Sequence, residues 1–264
     1  MPSLHDTFQH PPAFMPYYPI GFPELGISVD VIEALARGGA DLIEVGVPFS
    51  DPLADGPVVQ RATQIALQQG ATVAKCLAAV AELRLRGVSI PLVLMGYYNP
   101  LLSYGLARLA SAAEAAGASG FIVPDLPPEE AAEMEAALPA SLPLIRMLAP
   151  TTPPERATRI AADARGFIYL VSVTGTTGVR SELPPGLPDF IARVRRDAPA
   201  GLPLCVGFGI STPEQGRAVG ALADGVIVGS ACVKTVGEAA DPVAAAEKFA
   251  RKFKTALSTV TSKV

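Results

Sequence analysis

Two hydrophobic rhythms alternate along the chain. Eight short apolar runs bounded by Gly, Pro or Asp occur at 13–18 (AFMPYY), 41–47 (DLIEVGV), 91–97 (PLVLMGY), 120–125 (GFIVPD), 142–149 (LPLIRMLA), 166–173 (GFIYLVSV), 202–209 (LPLCVGFG) and 224–231 (DGVIVGSA). Most are continuous rather than alternating, as expected of strands covered on both faces. Between them lie stretches with apolar residues at helical spacing, among them VDVIEALARGG, VVQRATQIALQQG, VAKCLAAVAELRLRG, LARLASAAEAAG and PEEAAEMEAAL, then ERATRIAADAR, LPDFIARVRRDA and PEQGRAVGAL, with AAAEKFARKFKTAL closing the chain. Helix starts such as Thr212-Pro213-Glu214 and stops at Gly70, Gly87 and Gly117 punctuate them.

Strict alternation of strand and helix predicts parallel strands joined by right-handed crossovers. No linker interrupts the series, so the expectation is one domain over residues 13–264 preceded by an N-terminal tail, residues 1–12. Eight strand–helix units match a single (β/α)8 TIM barrel with extra helices, an α/β fold of roughly 250 residues; a doubly wound open sheet has the same local pattern but fits the count less well.

Composition narrows the function. Half of the 264 residues are apolar and 17% are charged, enough for a large core, and the net charge of −4 argues against a nucleic-acid partner. The longest uncharged stretch, between Arg86 and Arg108, contains Pro91, Gly96, Asn99 and Pro100 and does not read as a membrane span. The opening MPSLHDTFQHPPA has no secretory pattern, so a cytoplasmic protein is expected. Cys76, Cys205 and Cys232, widely spaced in apolar segments, read as free thiols.

In either architecture the chemistry lies beyond the carboxyl ends of the strands. Glu44, set among Ile43, Val45 and Val47, is a carboxylate whose burial raises its pKa and suits proton transfer, or else a strand glutamate paired with a polar neighbour or pointing to solvent at the strand edge. Asp55, before Gly56-Pro57, reads as either an acid–base partner or a helix cap. Gly207-Phe208-Gly209 and Gly229-Ser230 end the last two runs, where barrels recurrently bind phosphate through backbone N–H groups. The long loop SVTGTTGVRSELPPG adds Gly178 as a third candidate phosphate amide, and Tyr169 either enters the barrel mouth or packs. None of the six lysines sits in a strand core, and both histidines, His5 and His10, are in the tail. Schiff-base and metal-dependent chemistry thus lack their usual residues, and neither a metal nor a cofactor is expected.

PFSDPLADGP at 48–57, preceded by LIEVGV, closely resembles the signature of the tryptophan synthase α subunit family, and LMGYYNP, FIVPDLP, LAPTTP, YLVSVTGTTG, VGFGIST and GVIVGSA extend the match over roughly residues 13–235 in order. The resemblance implies a barrel that cleaves indole-3-glycerol phosphate to indole and glyceraldehyde 3-phosphate without a cofactor. It implies catalytic roles for Glu44, Asp55 and Tyr169; a phosphate cradle of Gly178, Gly209, Gly229 and Ser230; and an indole pocket lined by Tyr17, Ile122, Leu148 and Phe208. It also implies a pyridoxal-phosphate-dependent β subunit, in an α2β2 heterotetramer, docked on Asp51, Tyr97, Tyr98, Asn99 and Pro100. That segment reads as an apolar, aromatic rim on the barrel mouth or as side chains folded back over a helix. Two segments depart from the family pattern: the tail is short, and PIGFP at 19–23 stands where TAGDP is common. The rival readings are a stand-alone lyase that releases free indole and a non-catalytic barrel that binds phosphosugars.

Overall fold

The apolar runs fold as eight parallel strands: β1 (Ala13–Pro19), β2 (Ile43–Gly46), β3 (Leu92–Met95), β4 (Phe121–Ile122), β5 (Leu144–Leu148), β6 (Ile168–Val171), β7 (Leu204–Gly207) and β8 (Gly225–Val228). In the computed structural model, which describes residues 4–10, 12–172, 184–207 and 209–260, they close in sequence order into a barrel, β8 pairing back onto β1. Gly178 and Phe208 lie outside the described residues.

The helices are α1 (Leu25–Arg37), α2 (Pro57–Gln68), α3 (Val73–Leu85), α4 (Tyr98–Tyr104), α5 (Leu106–Ala116), α6 (Ala132–Ala137), α7 (Pro154–Ala162), α8 (Leu187–Asp197), α9 (Pro213–Gly220), α10 (Ser230–Gly237) and α11 (Pro242–Leu257). The stretch PEEAAEMEAAL is shorter than its pattern suggests, a 3-10 turn at Pro128–Glu130 followed by α6. Helices α4 and α10 have no counterpart among the amphipathic stretches. In α4, Pro100 falls in the first turn, where its missing N–H breaks no intrahelical bond.

Continuous apolar strands follow from two buried faces. Along β3, Leu92 and Leu94 face the helices while Val93 faces the barrel interior, with Met95 packed against that interior layer. Along β2, Ile43 and Val45 join the outer layer, so the two-residue period leaves Glu44 and Gly46 pointing inward. The interior is filled by Met15, Leu42, Val93, Ile122, Ile145, Phe167, Tyr169, Cys205 and Ile227. Its floor is closed by the short N-terminal segment: Leu4 is buried in this layer, and the Phe8 ring lies 5.8 Å from that of Phe167. Cys76, Cys205 and Cys232 are buried and unpaired. Among the described residues, no helix is long and apolar enough to cross a membrane.

Candidate active site

The carboxyl ends of β1, β2, β3, β6 and β8 and the turn after β7 surround a cleft of about 440 Å³ that contains both Glu44 and Asp55. Glu44 is 1% exposed, sits in register between Tyr17 of β1 and Val93 of β3, and has one oxygen, Oε1, with no hydrogen-bond partner among the described residues. Burial disfavours the charged form and pushes its pKa from its ordinary value of 4.5 to about 8. The alternative of a strand glutamate paired with a polar neighbour does not hold for that oxygen.

Asp55 precedes α2 but does not cap it: Gly56 occupies the cap position. Instead the Tyr97 hydroxyl donates to Asp55 Oδ2 at 3.0 Å. Burial raises the Asp55 pKa to about 6, and the bond from Tyr97 works in the opposite direction. Burial thus raises Glu44 further than Asp55, whose bond from Tyr97 favours its charged form. Two carboxyls in one cleft are thereby set apart in acidity.

Two tyrosines shape the space around Glu44, and each depends on a glycine in the next strand. A Cβ on Gly46 would lie 2.4 Å from the Tyr17 hydroxyl oxygen, and one on Gly207 would lie 2.2 Å from that of Tyr169. The rings of β1 and β6 can thus lie across β2 and β7 only because those inward positions carry no side chain. Tyr169 points into the mouth, and burial together with the nearby carboxylates holds both phenols protonated, well above their ordinary pKa.

Also lining the cleft, Gly209, with φ of 81°, adopts the left-handed conformation that favours glycine, and Gly229-Ser230 opens α10. The amides of the first turn of α10 have no intrahelical acceptors, which makes this end suited to an oxyanion. A Cβ on Gly229 would meet only ordinary contacts with Tyr17, at 3.7 Å and beyond. Gly229→Leu should accordingly leave the fold intact yet occupy ligand space, raising the substrate KM by an order of magnitude or more, whereas Lys234→Ala, on the exposed side of α10, should change it little. Steady-state kinetics with circular dichroism on both variants checks this. A larger effect from Lys234→Ala would replace the backbone cradle by a charge-based one.

Sequence patterns had not singled out Val59, Met95, Ile210 and Ile227, which also line the cleft. Met95 and Ile227 were accessible through the alternation of inward and outward positions. Ile122 belongs to the barrel interior, in register with Met95, but is not among the cleft residues. Leu148 packs in the outer layer and lines a pocket with Asp125 and Arg156.

The segment after β3 divides. Tyr97 is buried and turned toward Asp55, which takes it off the exposed rim. Tyr98 is half-buried, its hydroxyl donating to Glu133 at 3.4 Å; Asn99 and Asp51 are exposed, and Pro100 is half-buried. Leu53, 82% exposed, and Leu102 are exposed large apolar residues of the loop after β2 and of α4, in the two segments that flank Tyr97 and Asp55.

Comparison with known proteins gives a consistent picture. The family model described as tryptophan synthase alpha chain matches residues 5–261. The tryptophan synthase alpha chain of Chloroflexus aurantiacus is 54% identical over 222 residues, 84% of this chain and 83% of its own. That of Roseiflexus castenholzii is 54% identical over 242 residues, covering 90% and 92%. A solved structure of Mycobacterium tuberculosis tryptophan synthase superposes with a TM-score of 0.88 at 36% identity, covering 97% of this chain and 99% of that one. The tryptophan synthase alpha chain of Legionella pneumophila subsp. pneumophila gives 0.89 at 34% identity with full coverage of both chains.

Proposed function

The chain belongs to the tryptophan synthase alpha chain family, and from that premise we propose that Glu44 and Asp55 carry out its reaction as an acid–base and electrostatic pair. The reaction is a carbon–carbon lyase step of tryptophan biosynthesis, the cleavage of indole-3-glycerol phosphate to indole and glyceraldehyde 3-phosphate. The observation that carries the division of labour is the placement of both carboxyls in one cleft that Gly209, Gly229 and Ser230 also line.

Indole cannot leave as a bare carbanion. Protonated Glu44 delivers its proton to the C3 carbon of the indole ring, and the positive charge that develops reaches the ring nitrogen. Asp55, ionised, holds the ring N–H and stabilises that charge in a site shielded from water. Glu44, now a carboxylate, takes the proton of the neighbouring glycerol hydroxyl. The C–O electrons close the aldehyde, the C–C bond breaks, and its electron pair returns to the ring and restores the neutral indole. One proton is given and one taken, so Glu44 ends as it began. Tyr169 and Tyr17 wall the reacting atoms, and the amides around Gly209, Gly229 and Ser230 hold the phosphate.

The partner in this reading is the β subunit, arranged as α2β2, and the docking face includes Asp51, Tyr98, Asn99 and Pro100 together with the exposed Leu53 and Leu102. A cytoplasmic setting agrees with three buried, unpaired cysteines. The test is to measure indole release from indole-3-glycerol phosphate by the pure chain while titrating in the β subunit from the same source. Slow turnover alone and a saturable rise with the β subunit are expected. Unchanged turnover with no association would leave a stand-alone lyase, and no release under either condition would remove the reaction.

A further inference from the structure

Tyr97 stands at the end of β3 as the residue before α4, yet its side chain belongs to the loop after β2. Its hydroxyl makes two bonds at once. It accepts the backbone N–H of Ala54 at 3.0 Å and donates its own proton to Asp55 Oδ2 at 3.0 Å. The ring packs 5.6 Å from that of Phe49, and the neighbouring amide of Tyr98 donates to Asp125 Oδ1 at 2.9 Å, so the start of α4 is tied both to the loop after β4 and to the loop that bears Asp55. The other carboxylate oxygen of Asp55, Oδ1, takes no part in the bond from Tyr97.

We infer that Tyr97 is a positioning residue for the cleavage reaction: seated on the Ala54 amide, its hydroxyl holds one oxygen of Asp55 so that the other is presented to the ring N–H of the bound indole moiety. The inference rests on the reaction and on the role of Asp55 proposed above. A phenol is suited to this place because it accepts from the backbone and donates to the carboxylate simultaneously, which neither a carboxylate nor an ammonium can do. Its bond to the charged form of Asp55 also keeps that form populated against desolvation. Other titratable groups that sense Asp55 are Tyr17 from β1 and Tyr169 from β6, with Glu44 of β2 acting on the same two phenols. None is a cation, so among the described residues the Tyr97 hydroxyl is the group that favours ionised Asp55.

Tyr97→Phe removes one oxygen and keeps the ring against Phe49. With the β subunit present, kcat should fall by about tenfold while KM stays within about threefold, because orientation in the transition state is lost and the phosphate cradle is untouched. The acid limb of the pH profile of kcat/KM should move upward by about one pH unit. Titration of the Asp55 carboxyl, followed by 13C NMR on the free chain, should move in the same direction. Site-specific replacement of Tyr97 by 3,5-difluorotyrosine, a more acidic phenol of nearly the same size, should shift both titrations the opposite way, and it serves should Tyr97→Phe fail to fold. An acid limb and an Asp55 titration that neither substitution moves would overturn the inference, as would a loss of turnover matched by an equal loss of folded protein. If the wild-type chain releases no indole at all, the reaction is wrong; the NMR titration still decides whether Tyr97 holds Asp55.

Discussion

Glu44→Gln yields a folded protein that binds indole-3-glycerol phosphate and cleaves it at least ~10²-fold more slowly, because the amide retains the shape of the side chain and can neither give a proton to C3 nor take one from the hydroxyl. Single-turnover cleavage with a parallel binding measurement separates the two effects, and retained turnover would end the acid–base assignment. The same substitution carries a stability signature. The folded chain holds the Glu44 proton up to about pH 8, whereas an unfolded glutamate releases it near 4.5. The stability contributed by the protonated carboxyl is therefore fully present below pH 4.5 and is lost as the pH rises toward 8, a loss of at most ~5 kcal/mol for a shift of this size. Relative to wild type, Glu44→Gln should become progressively more stable in urea denaturation between pH 5 and pH 8. A constant difference across that range would mean that Glu44 is not buried as an acid.

Asp55→Asn should fold normally and lose cleavage by a comparable ~10² or more, since an amide offers no negative charge to the ring nitrogen as it becomes positive. With Asp55 at about 6 and Glu44 at about 8, wild-type kcat/KM should rise through the first value and fall through the second. In Asp55→Asn the residual activity should keep the alkaline fall and lose the acid rise. Should this variant merely unfold, Asp55 would be a structural brace for the loop after β2, and the charge-stabilising role would pass from it.

The alternation of short apolar runs with amphipathic stretches specified parallel strands covered on both faces, and the count of eight units favoured a (β/α)8 barrel over an open doubly wound sheet; the pairing of β8 with β1 closes it. Glu44, Asp55, Gly209 and Gly229-Ser230 were legible as a candidate site from their place at the carboxyl ends of strands, although each also had a simpler local use as a paired strand glutamate, a helix cap or turn residues. Which way a side chain faces, and what a loop residue meets, was not legible. Leu148 ends an apolar run as plausibly as Met147 does, but strand parity turns Leu148 to the outer layer and Met147 toward the interior. Tyr97 reads as part of an aromatic rim with Tyr98, and only the approach of the loop after β2, 42 residues earlier in the chain, turns it inward onto Asp55. Gly46 and Gly207 carry no local signal beyond their type. Their need arises from tyrosine rings that cross from the neighbouring strands. The sequence by itself thus determined the order of elements and the family and offered Glu44 and Asp55 as candidates, because these follow from local pattern and motif. The tertiary structure decided the burial of Glu44 and Asp55, the hold on Asp55 and the lining of the cleft, because each is set by groups far apart in the chain that meet only when the barrel closes.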